Sequence, residues 1–171
     1  YHRAGRRFLH KRWLLFREMQ HFNHQVQGNP DSSGIGQALV SAIARGVAAE
    51  RVLLFLLHSS QNRLVVAASE GMDESYSMSL QPGSPFLAWL GEQHRVVTAE
   101  EIRLLPQWQG LPPDEREALS AFGGRLFVSM RTGSANNALL VVGSRKGDAT
   151  YTQEEMESLE LLAHQAAAAM E

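Results

Sequence analysis

Apolar residues recur at four-residue intervals at Ile35, Leu39, Ile43 and Val47, with Val40 and Ala44 widening the face. That period predicts a helix, capped by Asp31 or Ser32, ending near Gly46 and packing on a sheet. Arg51 to His58 (RVLLFLLH) is apolar on both faces, which predicts a central strand covered on both sides, with Leu54 to Leu57 all inaccessible. The polar run Ser59 to Arg63, with Asn62 suited to a tight turn, makes Leu64 to Ser69 its antiparallel partner, closed by Glu70-Gly71. Tyr76 to Leu80 alternates weakly as a short strand. Ser84-Pro85 opens a short helix, Phe86 to Glu92, because proline suits the first helical position. Arg95 to Thr98 reads as a brief strand.

Ala99 to Phe122 lacks a sustained apolar stripe. It is predicted helical at Glu100 to Leu105, irregular from Pro106 to Pro113 and helical again from Asp114 to Ala121, the whole acting as a mobile lid. Gly124 to Arg131 alternates as a strand, and Gly133 to Asn136 turns it into a second one, whose buried part is Ala138 to Gly143. After a turn at Ser144 to Thr150 comes the best-marked helix start in the chain. Thr152 is the N-cap, Glu155 completes a capping box, and Glu154 and Glu157 place negative charge in the first turn. The order of elements predicts an α+β fold, an antiparallel sheet with helices segregated to its faces.

Charge separates the first seventeen residues from the rest. Arg3, Arg6, Arg7, Lys11, Arg12 and Arg17 are six of the sixteen basic residues, and no acid precedes Glu18. The remainder carries ten basic and eighteen acidic residues. Residues 1–30 therefore read as a basic, amphipathic signalling or linker helix, with Phe8, Leu15, Met19, Phe22 and Val26 on one stripe and Arg12 interrupting it. Its arginines suit a solvated helix, or a juxtamembrane segment following a transmembrane helix. With only Phe8 and Trp13 interleaved, they do not argue for nucleic acid. The chain begins at Tyr1 rather than Met and reads as a piece of a longer protein.

The series of apolar strand, "G-S-R-K-G", "Y-T-Q-E-E" and closing helix, from Ala138 to Met170, resembles the end of a GAF domain, the sensory module of signalling kinases, phosphodiesterases and transcriptional regulators. "L-V-V-A-A-S-E-G-M" (64–72) is similar to the family's second strand and following glycine. The resemblance covers about Ser32 to Met170 and places the domain at 31–171. It implies a GAF-like (PAS-like) antiparallel sheet, with the first and last helices together on one face and short helices and loops over the opposite, ligand-binding face.

Composition narrows what such a domain does here. The chain has no cysteine. That removes a catalytic thiol and thiolate metal ligation, and with them the bilin attachment and methionine sulfoxide reduction known in some members of the family. The family's cyclic-nucleotide pattern, Asn-Lys-x-Phe-x-x-x-Asp-Glu, is represented only by Asp73-Glu74. His21 and His24 sit at helical spacing with no third ligand close by, so no metal is predicted. His94, in a loop beside the expected pocket, is a lone haem-ligand candidate. "G-S-R-K-G" is read as a turn rather than a phosphate loop.

Met78, Phe86, Trp89, Leu104, Trp108, Phe127 and Ser129 come from segments expected over the ligand face, and are the candidate lining for a small, largely apolar ligand. The bland alternative is that they fill one another's space. The expected function is a non-catalytic GAF-type sensory or regulatory domain of a larger signalling protein, the cytoplasmic part of a membrane-anchored sensor histidine kinase, with no cofactor. Met156, Leu159, Ala163, Ala166 and Met170 have coiled-coil spacing, so homodimerisation through the terminal helices is expected. A purely structural dimerisation module with a filled pocket and a haem-binding gas sensor are the alternatives.

Overall fold

The computed structural model describes residues 17, 18, 20–22, 32–132 and 135–170. The four-residue stripe forms α1 (Ser32–Gly46), followed by the hairpin β1 (Val52–His58) and β2 (Arg63–Glu70). Then come β3 (Ser79–Leu80), α2 (Pro85–Gly91), β4 (Val97–Thr98), α3 (Ala99–Arg103), α4 (Pro106–Gln109) and α5 (Pro113–Phe122). The hairpin β5 (Leu126–Thr132) and β6 (Ala135–Val142) leads into the closing helix α6 (Gln153–Ala169). Phe8, Leu15, Met19, Val26, the Asp31 cap and Gly133-Ser134 lie outside the described residues.

The strands form one antiparallel sheet in the order β3-β2-β1-β6-β5-β4. Side chains alternate between its faces, as the two-residue period of a strand requires. Leu54, Leu140, Val128 and Met130 enter the core shared with α1 and α6, which Phe22 also joins. Leu53, Phe55, Leu139, Val141 and Phe127 enter the core beneath α2 to α5. The helices at the two ends of the described chain thus share one face, and the short helices cover the other.

The hairpins close as their turn residues dictate. Asn62 takes a left-handed conformation, φ 50°, which asparagine tolerates better than most residues. Gly71 has φ 77°, and a Cβ there would stand 2.0 Å from the Glu50 carbonyl oxygen, so no other residue fits without moving the backbone. Ser84 accepts a hydrogen bond from the Leu87 N–H and Thr152 one from the Glu155 N–H, the two N-caps expected.

Four expectations need correction. Leu54 and Phe55 are fully buried, but Leu56 and Leu57 are only half-buried, because the end of β1 runs beyond the layers that cover its start. Pro106 to Pro113 contains α4 rather than irregular chain. The region from Ala99 to Phe122 is anchored by buried Ile102, Leu111, Leu119 and Phe122, which makes it a packed layer on the sheet and not a loose cover. The supposed coiled-coil seam of α6 faces inward: Leu159, Ala163 and Ala166 are buried against the subunit's own core, and Leu161, off that seam, is 49% exposed.

One polar contact fastens the ligand-face layer to the sheet edge. The Glu115 carboxylate on α5 is 3% exposed; it accepts a hydrogen bond from the Gln81 N–H (3.1 Å) and lies 3.7 Å from Arg63. Burial raises its pKa, opposed by the Gln81 N–H and the Arg63 charge. The folded state then holds this proton more tightly than the unfolded chain. Its contribution is full below the ordinary glutamate range and is lost as pH rises through the raised value. Glu115→Gln keeps the acceptor for Gln81 and should change stability by less than about 1 kcal/mol while flattening that pH dependence. Glu115→Ala orphans the Gln81 N–H and should cost about 1–3 kcal/mol. Urea unfolding between pH 4 and 7 measures both; a steeper slope in the Gln variant would refute the assignment.

Candidate functional site

The ligand-face layer closes imperfectly at the β5 end of the sheet. α5 stops at Gly123, whose left-handed backbone (φ 78°) lets its N–H return to the Leu119 and Ser120 carbonyls. Gly124 follows, where a Cβ would stand 2.8 Å from the Phe127 ring and 2.9 Å from Val141, while a Cβ on Gly123 would meet nothing within 4 Å. The two glycines leave a cleft of about 310 Å3 between α3, α4, the end of α5 and the start of β5.

Ile102, Trp108, Leu119 and Phe127 form its apolar walls, and Ser120, Arg103 and Arg125 its polar rim. Both arginines are exposed, and neither has a hydrogen bond or ion pair from its side chain among the described residues. Arg125 also lines a second cleft, of about 280 Å3, on the far side of its strand. There it shares the walls with Glu100, Asp148 and the loop before α6. Tyr151 in that loop donates a hydrogen bond to the Gly143 carbonyl (2.7 Å), and burial raises its pKa. Behind it the Arg145 guanidinium donates to Glu155 (2.7 Å) and to the Thr150 carbonyl (3.3 Å), so the middle of "G-S-R-K-G" is a buried cation holding the cap of α6.

The structure brings together some of the seven candidate residues. Phe86 packs edge-on against Trp108 (centroids 5.1 Å apart) and against Phe127 (6.0 Å). Phe86 is fully buried and fills space rather than lining it. Trp108 and Phe127 line the cleft. Met78 and Trp89 are half-buried against the same core but away from the cleft. Ser129 pairs with Leu139 and so stands on the ligand face, half-buried, further along β5. Leu104 is 87% exposed and is no lining residue: the helical turn that buries Ile102 points Leu104 outward. His94 occupies an exposed left-handed turn, φ 50°, outside the cleft. Sequence reasoning missed Ile102, Leu119 and Ser120 as well as Arg103, Arg125 and the Gly123-Gly124 pair. The glycine pair between a helix and a strand was the one legible signal.

No group of His, Asp and Glu suited to a metal is present among the described residues. Nor, among them, is any helix long and apolar enough to cross a membrane.

Comparison with known proteins rests on this geometry. No curated protein matches the chain. The structure is similar to the GAF domain of a phosphoenolpyruvate-protein phosphotransferase from Coxiella burnetii, with a TM-score of 0.68 and 16% identity over 91% of this chain and 92% of that one. The GAF domain of the Acinetobacter phosphoenolpyruvate-protein phosphotransferase gives 0.65 at 19% identity, covering 92% of this chain and 90% of that one. Residues 122 to 287 of a methyl-accepting chemotaxis protein give 0.67 at 13% identity, covering 87% and 94%. At these identities the likeness shows the fold. The GAF domain family model matches residues 31–171, and the chain belongs to the GAF domain family, whose members are sensory and regulatory domains of signalling proteins.

Proposed function

We propose that this domain is a non-catalytic sensor of a small molecule within a larger cytoplasmic signalling protein of the sensor histidine kinase type. The observation that carries the reading is the place of the cleft. β5 sends Phe127 into the cleft and Leu126 and Val128 into the core of α1 and α6. A ligand that moves the start of β5 therefore acts on both packing layers. Leu161, 49% exposed on α6, leaves an apolar contact for output through a homodimer of terminal helices, while Phe22 and the Leu159 to Ala166 stripe are used within the subunit.

Two measurements test this. A ligand at a hundred times its Kd stabilises by roughly 2.7 kcal/mol, so melting against a metabolite panel should reveal one as a rise in Tm that Ser120→Trp, which fills the cleft, abolishes. No shift anywhere, or a shift indifferent to Ser120→Trp, would leave the structural-module reading in its place. Sedimentation at micromolar concentration should show a dimer that Leu15→Glu with Met19→Glu dissociates; a monomeric parent chain would overturn the helix interface.

A further inference from the structure

We infer that the cleft between α3, α5 and β5 selects an anionic ligand with a flat apolar body, an aromatic or similarly planar carboxylate. This rests on the cleft being the small-molecule site proposed above, and concerns the chemistry it recognises. Its walls supply the body's partners: Trp108 and Phe127 offer ring surface, Ile102 and Leu119 aliphatic surface, and the missing side chains of Gly123 and Gly124 leave room beside them. A cleft of about 310 Å3 is at the small end of ligand sites, which suits a one- or two-ring molecule better than a nucleotide.

The rim decides the charge. Arg103 and Arg125 line the cleft and no carboxylate does. The acids nearest in sequence are otherwise placed: Glu101 is held by Arg95 (2.7 Å), and Glu100 lines the neighbouring cleft. The opposing influence is the C-terminus of α5, whose carbonyls favour a cation. A helix end is equivalent to roughly half a charge, and the Gly123 N–H already engages the Leu119 and Ser120 carbonyls, so two full guanidinium charges outweigh it. Guanidinium groups bind carboxylates bidentately, through a planar fork that also stacks on aromatic surface.

A matched pair of probes isolates the charge: 2-naphthoate and 2-naphthamide, the same shape with and without the anion. Binding is followed on the 171-residue chain by NMR, at the Trp108 indole N–H and the Gly123 and Gly124 amides. Naphthoate should bind at least about tenfold more tightly than the amide, the difference a charge-assisted hydrogen bond makes. Arg103→Gln with Arg125→Gln should erase that difference while leaving the amide's affinity and the folded spectrum unchanged. Equal binding of the two probes, or a preference that survives the double substitution, would overturn the anion assignment and leave the small-molecule reading intact. Binding of neither probe would overturn the ligand class. The small-molecule reading itself would fall only if the metabolite panel also gave no shift sensitive to Ser120→Trp.

Discussion

Arg145→Ala should destabilise the domain by about 3–5 kcal/mol, more than any change at an exposed arginine. Arg145 is 5% exposed, and its partner Glu155 is buried beside it at 2.7 Å. Glu155 already serves the capping box, accepting from the Thr152 N–H at 3.0 Å, and its second carboxylate oxygen is buried with no hydrogen-bond partner. Removing the guanidinium strands that carboxylate in a poorly solvated place at the start of α6. The cost is mainly the stranded charge, not the lost attraction. In a Glu155→Gln background, which keeps the cap acceptor but not the charge, Arg145→Ala should therefore cost much less. Urea unfolding of the four variants in this cycle gives the coupling. A loss under about 1 kcal/mol for Arg145→Ala alone would mean that water reaches the pair. Since the same contacts hold the loop between β6 and α6, the variant should also loosen amide exchange from Ser144 to Thr152.

Phe55→Ala should cost about 3–5 kcal/mol, the range for deleting a fully buried ring whose site cannot collapse. Phe55 is wholly inaccessible on the third of six strands, paired with Val66 on one side and Leu139 on the other. Two hydrogen-bonded neighbours leave the backbone no freedom to close over the cavity. Leu57→Ala, two residues along on the same face but half-buried, should cost clearly less. Equal losses at the two positions would contradict the strand's emergence from its cover.

These two residues mark the boundary between local and tertiary information. Periodicity was enough for Phe55: a run apolar on both faces has nowhere to lie but between two layers. It failed two residues later, because nothing in RVLLFLLH records where the covering helices stop. Arg145 sits in a glycine-bounded turn that reads as solvent-exposed, and its burial depends on Glu155 arriving ten residues later on a helix packed over the same loop. The capping box itself was legible, since both its members lie within one helical turn.

Among the site residues, Trp108 and Phe127 were legible as large rings on segments destined for one face, and Leu104 misled for the same reason. Composition distinguishes apolar from polar; on a five-residue helix it does not say which apolar residue points inward. Arg103 and Arg125 are twenty-two positions apart and meet only because α5 returns the chain to the start of β5.

The α6 stripe shows the division most directly. Its three-four spacing determined that Leu159, Ala163 and Ala166 would be buried, and they are. Whether the burying surface belongs to the same chain or to another was decided by the tertiary structure, where α1 and β5 reach the stripe first. By itself the sequence determined the elements apart from α4, their order and the capped ends, because each rests on contacts between near neighbours or on the period of an apolar face, and its motifs carried the resemblance to the family. The partner of each face, the cleft left by Gly123 and Gly124 and the charge at its rim were decided only by tertiary packing, because they join residues that no local rule connects.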